Sequence, residues 1–147
     1  LSLANSYCFF EIVIQSSLTS YFLPKCSAKP PHPQPISNNL LPLLGDKRLV
    51  KLEEIEQHGA VSEEVARSMA EGALLISKAD IAIACTGVAG PDGGTPLKPL
   101  GLVHLSCALR NYQTMHQKYN FLGDRGEIRS ATINAALKLV EAQLGII

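Results

Sequence analysis

The chain has 147 residues, enough for one domain with its own core and no need of metal or disulfide staples. Its 13 basic and 13 acidic residues cancel, which argues against a general electrostatic nucleic-acid binder. Hydrophobic residues make up 46% and tryptophan is absent, an ordinary globular profile.

The N-terminal stretch "LSLANSYCFFEIVIQSSLTSYFLPKC" is apolar, but Glu11 interrupts it and no basic residue precedes it. It reads as a poor signal peptide and not as a membrane span, so neither a membrane nor a nucleic acid is expected as a partner. Because the sequence opens on leucine, a fragment or an altered start is expected. "FFEIVIQ" suits a strand, with no partner evident. Residues 24 to 35 hold five prolines, which lack a backbone donor and fix φ, so an extended linker is expected there. This places a division near residue 36: an atypical segment over 1–35 and a regular domain over 36–147.

"VSEEVARSMAEGALLISKAD" reads as a helix, with Ser62 as N-cap and Glu63 and Glu64 at the positive end of the dipole. Val65, Met69, Gly72 and Ile76 fall on one stripe, so Met69 needs no explanation beyond the core. "IAIAC", Ile81 to Cys85, is a short run of small apolar residues, the pattern of a strand buried on both faces. "GLVHLSCAL" and "QTMHQKYNFL" then read as two strands joined around Asn111, too closely for anything but an antiparallel pair. His104 and His116 fall in these strands and could face each other; without a third ligand they read as ordinary sheet residues. "GDRGEIRSATINAALKLVEAQL" closes the chain as a helix, with Asp124 and Glu127 in capping-box relation and Ile133, Leu137, Val140 and Leu144 as its inward stripe.

Helix, buried strand, hairpin and helix imply an α/β layer fold, three layers with a mixed sheet. Cys8, Cys26, Cys85 and Cys107 lack zinc-knuckle spacing. Cys85 and Cys107 lie in apolar runs and read as buried, reduced thiols, which implies a reducing, cytoplasmic setting. No metal and no organic cofactor is expected.

The loop "TGVAGPDGGTPLKPLG" after the buried strand is the outstanding feature. Ligands in open α/β sheets settle where strands end, and Gly87, Gly90, Gly93 and Gly94 allow backbone N–H groups to approach a phosphate or carboxylate. Thr86 would add a hydroxyl, and Lys98 a charge if the loop folds back. The glycine spacing matches neither G-x-G-x-x-G nor a Walker A run. Physics alone leaves an anion cradle and a plain glycine-rich turn both open.

"HGAVSEEVARSMAEGAL", "ADIAIACTGVAGPDGGTPLKPLGLV" and "FLGDRGEIRSATINAAL" together resemble the C-terminal domain of the CinA family, the nicotinamide-nucleotide amidases. The resemblance runs from about residue 52 to 144 and implies a compact α/β/α domain in homo-oligomers, here lacking part of the usual N-terminal elements. It implies hydrolysis of the carboxamide of nicotinamide mononucleotide to nicotinate mononucleotide and ammonia, by serine attack with help from a lysine and backbone donors. It places Thr86, Gly87, Ala89, Gly90, Pro91, Gly93 and Gly94 along the substrate pocket. Arg125 and Arg129 match basic residues near the nucleotide, where a guanidinium suits phosphate; a solvated first helical turn is the alternative for them.

The catalytic residues are another matter. The family's "T-A-E-S-C-T-G-G" stretch does not occur, and Ser6, Ser16, Ser17 and Ser20 stand in other contexts. In "ISNNLLPLLG" Ser37 and Asn38 match the family's "Y-S-N-x-x-K", but Ile36 and Leu41 replace the tyrosine and lysine. Nucleophile and lysine are therefore unassigned, and a non-catalytic nucleotide-binding or oligomerisation domain is the alternative. Missing N-terminal elements would also leave apolar surface exposed and favour association.

Overall fold

A computed structural model of the chain describes residues 7–14, 21–22, 50–77 and 79–145. In chain order these form β1 (Tyr7–Ile14), β2 (Tyr21–Phe22), α1 (Leu52–His58), α2 (Glu63–Ile76), β3 (Ile81–Val88), β4 (Leu102–Leu109), β5 (Met115–Asn120) and α3 (Arg125–Gln143). The proline-rich stretch and the "ISNNLLPLLG" segment lie outside the described residues, as do Ser6, Ser16, Ser17 and Ser20.

The strands make one sheet in the order β2-β1-β3-β4-β5, and each described ladder is antiparallel. β1 finds its partner in β3, along a register running from Tyr7↔Val88 to Ile14↔Ile81. A pairing across so many intervening residues has no local signal. The β4–β5 pair is the expected hairpin; Asn111 takes the left-handed turn conformation at φ 67°, which asparagine tolerates better than most residues.

β3 and β4 are buried almost throughout because a helix covers each face. Ile81, Ile83 and Cys85 of β3 join Val103, Leu105 and Cys107 of β4 in the core beneath α3. The alternate residues Ala84 and Ala108 pack against Val65, Met69 and Ala70 of α2. Strand alternation thus sorts one continuous apolar run into two cores, giving the three-layer α/β/α sandwich. Burial pushes the Cys107 thiol up to about 12, which leaves it an inert core group.

Local chemistry fixes the helix starts. The Ser62 hydroxyl accepts from Val65 N at 3.3 Å, and Glu63 and Glu64 occupy the first turn of α2. At α3, Asp124 Oδ1 accepts from Glu127 N at 2.9 Å while Glu127 Oε2 accepts from Asp124 N at 2.8 Å, closing the capping box.

The buried face of α3 differs from the expected stripe. Ile128, Thr132, Ala135, Ala136 and Leu139 face the sheet, while Ile133, Leu137 and Leu144 are exposed and Val140 is half-buried against the core. The reason is spacing. Apolar residues occur all round this helix, so periodicity does not choose a face, and close approach to β4 selects the small side chains.

Candidate functional site

β3 continues three residues past "IAIAC", so Thr86, Gly87 and Val88 belong to the strand and the loop proper begins at Ala89. Gly87 is required by crowding: a Cβ there would sit 2.6 Å from Leu102 O and 2.8 Å from Val103 Cγ2 on the neighbouring strand. Gly90 and Gly93 hold positive φ values of 80° and 94°, and the Gly90–Pro91 bond is cis.

The loop is folded on itself. Thr95 and Lys98 exchange backbone hydrogen bonds at 2.9 and 3.1 Å, and Gly101 N donates to Val88 O at 2.7 Å to close the base. Leu100 lies against Gly90 and Gly94, within 3.4 and 3.0 Å of where their Cβ atoms would stand. Lys98 does fold back, but its ammonium donates to His58 O at 3.0 Å, at the end of α1, so its charge goes to a helix terminus.

Thr86 sits on the α2 side of the sheet, fully buried, and its hydroxyl donates to Ala60 O at 2.7 Å. It ties the α1–α2 turn to the strand end. Thr86→Val keeps the shape but strands the Ala60 carbonyl, so a loss of about 1–2 kcal/mol in urea unfolding is expected.

The two arginines lie on the other side. Arg125 Nη1 donates to Gly90 O at 2.7 Å, fastening the loop to the first turn of α3. Arg129 lines a shallow cleft with Cys85, Gly87, Ala89, Val103, Ile128 and Thr132. The cleft's enclosed space is only about 10 Å³, room for about one water. It is an open depression against which the end of a ligand could rest, not a closed small-molecule pocket. The helix terminus itself already carries Asp124 and Glu127, so an anion here would rely on guanidinium groups and loop N–H donors rather than the α3 dipole.

The structure therefore gathers Gly87, Ala89, Gly90, Arg125 and Arg129 at one strand end. Pro91 and Gly94 are exposed on the loop and Gly93 is half-buried, while Thr86 faces away. No three His, Cys, Asp or Glu side chains among the described residues are grouped to hold a metal, and no described helix is long and apolar enough to cross a membrane.

On the α2 side lies a polar cluster of which the sequence offered the histidine pair but not the carboxylate that joins it. His104 Nδ1 lies 3.1 Å from His116 Nε2, and His116 Nδ1 lies 3.3 Å from Glu63 Oε2. The two histidines do face each other, and the third group is a carboxylate on α2. The only available signal was that both strands place them on one face.

An α/β/α sandwich with an antiparallel sheet, whose glycine-rich strand end is clasped by an arginine from the first turn of a helix, defines the class of domain. Residues 47–144 match the family model of the CinA C-terminal domain, and the chain belongs to that family. It is 46% identical over 95 residues to a CinA-like protein of Endomicrobium trichonymphae, covering 65% of this chain and 22% of that protein. A CinA-like protein of Thermotoga neapolitana is 41% identical over 95 residues, covering 65% and 23%. The chain thus spans about a fifth of the length of these curated relatives. The crystal structure of the competence/damage inducible protein CihA from Agrobacterium tumefaciens superposes with a TM-score of 0.64 at 43% identity, over 69% of this chain and 60% of that one. The competence damage-inducible protein A (ComA) of Klebsiella pneumoniae gives 0.63 at 33% identity, over 74% and 63%.

Proposed function

We propose that this chain supplies the nucleotide-holding part of a nicotinamide-nucleotide amidase, which hydrolyses the carboxamide of nicotinamide mononucleotide to nicotinate mononucleotide and ammonia. The observation that carries this reading is the clasp between Arg125 and Gly90 beside Arg129, Gly87 and Ala89. A planar guanidinium fixed at the mouth of a glycine-rich turn is preorganised for a phosphate, with no side-chain ordering left to do on binding. The substrate class comes from the resemblance of the three motifs and from family membership.

In the reaction, water adds across the amide: the C–N bond breaks, oxygen joins the carbonyl carbon, and the nitrogen leaves as ammonia. Described residues supply binding and orientation to that step; a serine and lysine for it would have to come from outside them. Thr86 would contribute by fixing the strand end, and Pro91, Gly93 and Gly94 by shaping the loop rim.

A second reading, a non-catalytic nucleotide-binding or oligomerisation domain, draws on the exposed Ile133, Leu137 and Leu144 of α3. The deciding experiment measures ammonia release from nicotinamide mononucleotide by the folded chain, with calorimetric binding of the same nucleotide. Release lost in a Thr86→Ala, Arg125→Ala double variant supports the amidase. Binding without release supports the second reading, and neither binding nor release removes the nucleotide from both.

A further inference from the structure

The cluster on the α2 side is a continuous chain of polar contacts linking three elements. From His104 on β4 it passes to His116 on β5 and on to Glu63 in the first turn of α2. Glu63 Oε1 accepts from Arg67 Nε at 2.8 Å, and Arg67 Nη1 donates to Thr114 O at 2.6 Å, just ahead of β5. Both histidine rings are shielded, at 8% exposure, and stack with centroids 5.2 Å apart. Ser106, fully buried beside them on β4 and opposite His116 in register, has no hydrogen-bond partner for its hydroxyl among the described residues.

Counting hydrogens shows what the chain tolerates. With both rings neutral, His116 donates Nδ1–H to Glu63, so its Nε2 must accept from His104 Nδ1–H. One added proton is accommodated: a charged His116 donates from both nitrogens, and His104 accepts at Nδ1. A second proton sets two N–H groups against each other at 3.1 Å. The surrounding charges are Glu63, Glu64 and Arg67 from α2 and Lys118 from β5. β3 contributes the neutral Thr86, which pairs with His104 across the β3–β4 ladder.

We propose that His104, His116 and Glu63 form a proton-operated latch, which fastens the start of α2 to the β4–β5 hairpin; it is closed with zero or one proton added to the two neutral rings and opened by a second. Its effect reaches the glycine loop through contacts already described. Thr86 holds Ala60 O, and Lys98 holds His58 O, on the turn that leads into Glu63. Repulsion between the two charged rings displaces His116 and takes its Nδ1 donor away from Glu63, which frees that turn and so loosens the base of the loop. This inference is independent of which ligand the loop takes.

The direction of the pH effect follows from burial. Desolvation, with His116 and Lys118 adding to it, pushes His104 down to about 4, and desolvation lowers His116 while Glu63 opposes it. Unfolded histidines take up protons near pH 6.5, so the stabilisation is complete above that value and is lost as pH falls from 6.5 toward 4. Glu63 is itself held below the ordinary carboxylate range, chiefly by its hydrogen bond from Arg67. Its contribution is therefore present above that range and lost on further acidification, in the same direction.

The test is urea denaturation of the full chain between pH 8 and pH 4.5, beside His116→Gln, which keeps an amide at this position and cannot titrate. The wild-type midpoint is expected to hold above pH 6.5 and fall below it, with the variant's pH slope shallower by about one proton. Parallel slopes overturn the latch. Histidine nitrogen NMR of the wild type decides the matter should the variant not fold. Both rings are expected as Nδ1–H tautomers at pH 7.5, titrating as a coupled pair in two steps below the ordinary histidine range; independent titration near 6.5 overturns it. Amide exchange at Ala60 and Gly101, corrected for intrinsic pH dependence, should quicken at pH 5 in the wild type; unchanged exchange removes the connection to the loop.

Discussion

Gly101→Ala is expected to be the most damaging single methyl among the described glycines, costing about 3–4 kcal/mol. Gly101 holds φ 85°, and a Cβ there would collide with the Phe121 carbonyl oxygen. That oxygen is backbone and cannot swing aside: Phe121 N donates to Gly101 O at 2.9 Å, and Gly101 N donates to Val88 O at 2.7 Å. The left-handed conformation costs an alanine roughly 1–2 kcal/mol, and forced overpacking adds about 1–3. Against a total stability of roughly 5–15 kcal/mol, such a loss lowers the melting temperature by on the order of 10 °C. Gly145→Ala is the control, since Gly145 has φ 69° but nothing within 4 Å of a Cβ. It should show only the conformational share, so equal melting temperatures for the two variants would remove the collision argument. Gly87→Ala, crowded by Leu102 O at 2.6 Å without a positive φ, should fall between them.

These glycines also show what a sequence discloses and what it withholds. Ser62, the Asp124–Glu127 capping box and the turn at Asn111 were legible because each is short-range chemistry, settled within four residues. The two-faced burial of β3 was legible because small apolar residues in a short run leave few alternatives. The requirement for Gly101 was not, since it arises from Phe121, just past the end of β5. Nor was the true end of β3, because Thr86 and Gly87 look like loop residues until the ladder to His104 and Val103 holds them extended.

The buried face of α3 failed for a different reason. Its apolar residues outnumber the positions one face can hold, and the sequence alone favoured the bulkier ones. Packing favoured Ala135 and Ala136, which let the helix come close to β4, and left Ile133 and Leu137 outside. At the candidate site, the motif located the right strand end and the right helix start. What it could not supply was direction: Thr86 and the arginines lie on opposite faces of the sheet, a consequence of strand alternation one residue apart.

That separation makes Arg125 the residue on which the nucleotide reading turns. Arg125→Ala removes a guanidinium that donates to Gly90 O at 2.7 Å, and binding of nicotinamide mononucleotide is expected to weaken about 10- to 100-fold, the range for losing one charge-assisted contact. Arg125→Lys should recover little of this. A lysine keeps the charge but replaces the planar fork with a single rotating ammonium, which cannot hold the loop carbonyl and a phosphate oxygen in fixed geometry together. The informative comparison is between the nucleotide and the same nucleoside without its phosphate, titrated against wild type and both variants. If the guanidinium reads phosphate, the wild type prefers the nucleotide and Arg125→Ala loses most of that preference while its melting temperature moves only a few degrees. If both ligands weaken equally, Arg125 acts by shaping the loop, through Gly90. Unchanged affinity for both would make the clasp purely structural and leave Arg129 as the cation to test, since it alone of the two lines the cleft.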